Sequence, residues 1–235
     1  MPTVNAANNF VSRAEGKLEG AVRAFHYDFR NKTVLDIGSS TGGFTELALK
    51  LGAKKVVAVE KGTRQMKAPL RFDPRVELHE KTDFFDFACE ATKPCLSETG
   101  SLAPVVTGFA PLSSAVASGR LREDTVSVAG KQPRFDTILA DVSFVSLKKI
   151  LLAAKKLAAG KTDFLVMLKP QFEARPEQLF KGIVKNEKIR REIVKDFENW
   201  LKMNSFVVIN KRDNEVLGKN GNKERFYYLK LARKA

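Results

Sequence analysis

The chain of 235 residues contains two cysteines, two histidines and one tryptophan, and each scarcity removes a class of function. Cys89 and Cys95 are too few and too closely spaced for a disulfide framework or a zinc site, and His26 and His79 cannot complete one. No metal is expected, and ordinary packing is the expectation for all four. No apolar run reaches the roughly 18–20 residues needed to cross a bilayer. Residues 1–10 have neither the charged region nor the apolar core of a secretion signal, so a cytoplasmic protein is expected. What is abundant is positive charge: 41 Lys and Arg against 27 Asp and Glu give +14 at pH 7. So basic a chain points to a polyanionic partner, nucleic acid first. With 43% hydrophobic residues, one domain over 11–235 behind a flexible tail at 1–10 is expected.

One stretch organises the rest. Residues 33–37 are β-branched or apolar apart from Asp36, and Gly38, Ser39, Ser40, Thr41, Gly42 and Gly43 follow. Phe44, Leu47, Ala48 and Leu51 then recur at helical spacing, so the order is strand, Gly-rich turn, helix. Glycine suits a backbone that must take positive φ or approach a ligand, and the helix start offers free N–H donors. Such a turn holds a nucleotide-like ligand at the carboxyl edge of a parallel sheet. The spacing is neither that of a dinucleotide fingerprint nor that of a P-loop. It resembles the first motif of an S-adenosylmethionine (SAM) methyltransferase.

Residues 11–25 read as a helix. Ser12 can cap it with Glu15 reaching back, and Leu18, Ala21, Val22 and Phe25 share a face with Lys17 beside it. Residues 55–60 read as a second buried strand ending in Glu60, whose carboxylate can accept hydrogen bonds from both ribose hydroxyls of a nucleoside. Residues 64–70 read as a short helix stopped by Pro69, and 75–79 as a third strand, with Asp83 placed to meet an adenine amine. From about 86 to 133 the pattern dissolves into an insertion far above usual loop length, with room for a hairpin. The sheet resumes at 135 with Asp141 closing a fourth strand, a helix over 147–157 stops at Gly160, and a fifth strand from 163 delivers Lys169 to the same edge. A lysine closing an apolar strand is unusual, because burying charge is costly without partners. Residues 187–203 form an amphipathic helix with Trp200 in its apolar face, and strands at 206–210 and 225–231 flank a turn at 218–222, with Glu224 opening the second. The expected fold is α/β and Rossmann-like in its methyltransferase variant: a seven-stranded, mostly parallel sheet with helices on both faces and a long insertion before the fourth strand.

Four blocks, residues 12–19 around Lys17, 35–45 around the glycines, 140–147 around Asp141 and 168–173 around Lys169, resemble those of the TlyA (haemolysin A) family of FtsJ-like ribosomal RNA 2′-O-ribose methyltransferases. The resemblance implies a catalytic Lys-Asp-Lys-Glu tetrad at Lys17, Asp141, Lys169 and Glu224, the last within Gly221-Asn222-Lys223-Glu224. It implies SAM contact by Asp36, residues 38–44, Glu60, Lys61, Asp83 and Asp141, and it implies ribosomal RNA or ribosomal subunits as partner, with the ribose of a cytidine as acceptor. Asp83 stands where the family has asparagine. The small S4 RNA-binding domain that precedes this domain in the family has no counterpart in these residues, so RNA affinity is expected from the catalytic surface, the insertion or another protein.

The chemistry is consistent with that assignment. A ribose 2′-hydroxyl is a poor nucleophile at neutral pH and needs deprotonation and alignment. A lysine serves as base when a neighbouring cation and desolvation favour its neutral form; the SAM sulfonium and Lys17 are the expected cations, with Asp141 and Glu224 orienting the amines. Lys169 is the expected base. Arg64, Lys67, Arg71, Lys148, Lys181, Lys185 and Arg225 are the candidates for RNA phosphates, with a steep salt dependence expected. Competing readings are a haemolysin-like membrane-active protein, a SAM-binding RNA-associated protein without catalysis, and methylation of a small molecule or protein.

Overall fold

The computed structural model describes residues 13–92, 94–96, 102–104, 135–215, 217–218 and 221–232. The tail, Ser12 and most of the insertion, including its apolar pieces at 105–106 and 125–128, lie outside the described residues. The strands are β1 (Thr33–Ile37), β2 (Lys55–Val59), β3 (Val76–His79), β4 (Pro94–Leu96), β5 (Leu102–Pro104), β6 (Phe135–Ala140), β7 (Ala158–Leu168), β8 (Phe206–Asp213) and β9 (Arg225–Leu231). The helices are α1 (Arg13–Phe25), α2 (Gly43–Lys50), α3 (Phe84–Ala91), α4 (Leu147–Lys156) and α5 (Glu187–Met203).

Seven strands form one sheet in the order β3-β2-β1-β6-β7-β9-β8. The first five are parallel, and β9 runs antiparallel to both β7 and β8. Because strand side chains alternate, β1 sends Leu35 and Ile37 to one face and Val34 to the other. The first face is covered by α3, α4 and α5 through Phe87, Leu151 and Phe197, and the second by α1 and α2 through Leu18, Phe25, Phe44 and Leu47. The expected sheet and its two helical layers are present.

Four boundaries differ from expectation. No α-helix spans 64–70: Arg64 has φ 51°, only Met66 is buried there, and the chain merely tightens into a 3-10 turn at Leu70–Phe72. The insertion starts later than residue 86, because Asp83 caps α3 by accepting from the Phe85 N–H, and Phe84, Phe87, Ala88 and Ala91 bury one face of that helix. Inside the insertion β4 and β5 form the antiparallel pair that the sequence left room for. Gly160 does not stop α4, which ends at Lys156 with Leu157 as its C-cap. It lies within β7, in the irregular stretch where the pairing with β6 jumps from Ala158 to Asp163. Finally, β8 continues three residues beyond 210, because Lys211, Arg212 and Asp213 still pair with β9.

Candidate active site

Every parallel strand points its carboxyl end at the same edge, so residues just past Ile37, Val59, Ala140 and Leu168 gather there. The turn after β1 begins at Gly38 with φ 78°. A Cβ there would stand 3.1 Å from the Asp141 carbonyl oxygen, so the loop after β6 can approach only a glycine. Gly42 serves packing: at φ 93° its missing Cβ would lie 2.4 Å from Leu70 Cδ2, which lets the 62–72 segment close over the start of α2.

The acid at the end of β2 is tied into this turn. Glu60 accepts from the Ser40 N–H at 2.8 Å and from the Gly62 N–H at 2.6 Å. Asp83 pairs with Lys61 at 3.0 Å, and that ion pair with the α3 cap holds its carboxyl below the usual range. Asp36 has a different position from the rest of the cofactor set. It is fully buried in mid-sheet, accepting from Thr45 Oγ1 at 2.6 Å, and so it fastens α2 to β1. Burial, only partly offset by the Thr45 hydrogen bond, pushes its carboxyl up to about 7.

The four expected catalytic residues come from four separate elements. In the antiparallel register Leu168 faces Arg225, so Lys169 and Glu224 stand side by side at neighbouring strand ends. Helix α1 lays Lys17 against Glu224 at 2.5 Å, with side chains only 11% and 3% exposed. Lys169 pairs with Asp141 at 2.6 Å and also donates to Ser143 Oγ at 2.9 Å. The tetrad is thus two lysine–carboxylate pairs, and all four members line one cavity of about 1280 Å³ together with Gly38, Ser40, Glu60, Lys61 and Asp83. Ser39, Gly42, Gly43 and Phe44 are buried beneath the loop and, like Thr41, are not among the residues lining it.

Three supporting features were not anticipated. Gly218 leaves room for Glu224, whose Oε1 would be 2.3 Å from any Cβ at that position. Buried Asn222 accepts from the Val184 N–H and donates to the Gly182 carbonyl, tying the Glu224 turn to the loop before α5. Glu173 accepts from Ser146 Oγ and from the Leu147 N–H, capping α4 and clamping the loop after β7 to the loop after β6. Its burial raises its pKa. Phe144 is also unanticipated: it lines the cavity with φ 64° and 92% exposure, its ring 5.2 Å from that of Phe172. Only its unexplained apolar character in a loop could have flagged it.

The RNA candidates divide. Arg71 is held by Glu80, and Arg225 by Asp213. Arg64, Lys67, Lys181 and Lys185 are exposed, and Lys148 is half-buried near Glu173. Among the described residues no helix is long and apolar enough to cross a membrane.

Comparison with known proteins bears on the family and the fold. The model of the FtsJ-like methyltransferase family matches residues 10–231. A candidate rRNA methyltransferase of Bacillus subtilis is 32% identical over 94% of this chain and 65% of its own length. The 16S/23S rRNA (cytidine-2'-O)-methyltransferase TlyA of Mycobacterium tuberculosis is 30% identical over 94% of this chain and 68% of its own. The chain therefore spans about two thirds of the length of these relatives. A crystal structure of a candidate hemolysin from Lactococcus lactis superimposes with a TM-score of 0.73 at 30% identity, covering 95% of this chain and 89% of that one.

Proposed function

Because the chain belongs to the FtsJ-like methyltransferases, and within them to the TlyA family, we propose that it uses SAM to methylate the ribose 2′-oxygen of a cytidine in ribosomal RNA. The observation that carries this reading is the convergence of Lys17, Asp141, Lys169 and Glu224 on the cavity that the Gly38 turn also lines. The cavity, about 1280 Å³, exceeds the roughly 300–1,000 Å³ of an ordinary small-molecule site, so a nucleoside donor and an acceptor nucleotide fit together.

The residues present suit the donor. Gly38 leaves backbone free to approach, Glu60 keeps lone pairs for ribose hydroxyls beside its two backbone contacts, and Asp83 with Lys61 borders the adenine end. When bound, SAM supplies a methyl group activated by its positively charged sulfur. Lys169 Nζ takes the proton from the 2′-hydroxyl as that oxygen gains its methyl, and Asp141 and Ser143 aim the amine. Lys17, held by Glu224, donates to the ribose oxygen and places a second cation in the site. Phe144, open at the mouth, offers a face on which the target base can stack.

The test is transfer of radiolabelled methyl from SAM to ribosomal RNA, offered naked and as separate subunits, with wild type beside Lys169→Ala. Label recovered as alkali-resistant 2′-O-methylcytidine from wild type only is the expected result. Near-normal turnover by Lys169→Ala, with SAM binding intact, would show that another group is the base.

A further inference from the structure

The loop before α5 carries a feature that methyl transfer itself does not use. Phe180 and Ile183 form a two-residue antiparallel bridge, with the Phe180 N–H donating to the Ile183 carbonyl at 2.9 Å and the reverse bond at 3.0 Å. The two residues between them, Lys181 and Gly182, have φ 50° and 76°, the positive values of the tight hairpin turn that suits twisted strands. This hairpin is anchored through its turn and the residue after it, because buried Asn222 donates to the Gly182 carbonyl and accepts from the Val184 N–H. Gly182 and Asn222 also line the catalytic cavity, so the hairpin stands at its rim.

On the first arm of the hairpin, next to the turn, Phe180 is 54% exposed. Lys185 Nζ lies 4.1 Å from the ring centroid and Lys181 Nζ 5.7 Å. Among the described residues neither lysine is paired with a carboxylate, whereas Lys61, Lys169 and Lys211 all are. A half-exposed ring with two lysines that have no carboxylate partner among the described residues, on a hydrogen-bonded turn, is suited to a chain of π-faced bases joined by phosphates.

We propose that Phe180, Lys181 and Lys185 form a second RNA-contact point, in which a nucleotide flanking the methylated one stacks on Phe180 while the two lysines neutralise adjacent phosphates. The inference deepens the RNA methyltransferase reading and rests on it. It assigns to this hairpin a share of the affinity for single-stranded RNA.

The test is fluorescence titration of the whole chain with a short single-stranded oligoribonucleotide carrying one 2-aminopurine, whose emission reports stacking. Phe180→Leu is expected to weaken binding about tenfold, and Phe180→Trp to hold it within about twofold, since stacking tolerates any aromatic face. Lys181→Ala and Lys185→Ala should each lower the slope of log affinity against log salt by about 0.7, the value for one single-strand phosphate contact. Equal binding by wild type and Phe180→Leu would overturn the proposal, and so would equal losses in the leucine and tryptophan variants, or no binding by wild type. The methyl-transfer assay judges the enzyme reading separately: labelled RNA with no effect at Phe180 removes the platform and leaves the enzyme.

Discussion

The two ends of the sheet use the same side chains for opposite purposes. At the amino edge of β6 and β7 a single carboxylate, Asp163, is saturated. It receives Tyr27 Oη and Lys32 Nζ at 3.0 Å each, Tyr228 Oη at 3.0 Å and Lys230 at 3.4 Å, while Tyr27 also bonds Thr137 at 2.6 Å. At the carboxyl edge, about 17 Å further along β7, two lysines have one carboxylate each and border an open cavity. The first arrangement leaves no valence for a ligand and joins the connection between α1 and β1 to β6, β7 and β9. The second leaves amine protons free to meet a substrate. Lysine beside aspartate is therefore no signature by itself; what separates scaffold from site is whether the donors and acceptors are used up.

Substitutions should pull the two ends apart. The largest effect is expected at Lys169: alanine should reduce methyl transfer about a thousandfold, within the range for a general base, with thermal stability near that of wild type. Coincident loss of folding would erase the distinction. Next, Lys17→Ala should lower transfer and also destabilise the fold by about 3–4 kcal/mol, because it strands a nearly buried Glu224. Adding Glu224→Gln should restore most of that stability but not the activity, which denaturant titration and the methyl assay read independently. At the other edge Asp163→Ala should cost about 2–3 kcal/mol by leaving Tyr27 and Lys32 without their acceptor, while molecules still folded at low temperature keep their turnover. A large fall in kcat there would tie the amino edge to catalysis after all.

The smallest effect concerns Asp36, midway between the edges. Its folded pKa, about 7, lies above the unfolded value of about 3.8, so the native state is favoured while the group is protonated and loses stability as pH rises through 7. Asp36→Asn has no such proton to lose. Its stability relative to wild type should therefore grow by about 1–1.5 kcal/mol between pH 6 and pH 8. A constant difference across that range would mean that Asp36 is ionised throughout.

Much of this was legible in the chain. The strands followed from β-branched and apolar runs and the long helices from period-3.6 patterns, and the edge carrying Gly38, Glu60, Asp141 and Lys169 followed from where those runs ended. Helix α3 was hidden because its apolar positions Phe84, Phe87, Ala88 and Ala91 adjoin a segment of low pattern, and a false helix appeared at 64–70 because local composition ignores an intervening left-handed residue. Asp36 looked like a ligand-binding acid, but strand parity turns it toward Thr45.

The sequence alone determined which residues could do chemistry, since residue type, strand ends and the glycine turn are local properties written within a few positions of one another. Only the tertiary structure decided who meets whom. Lys17 pairs with Glu224 across 207 residues and not with Asp141, and Asn222 reaches back to Val184, because strand order and antiparallel register set those distances. No short-range pattern encodes them. Pairing of this kind follows from burial of the whole sheet between its two helical layers, and the charged groups take whatever partners that burial brings within reach.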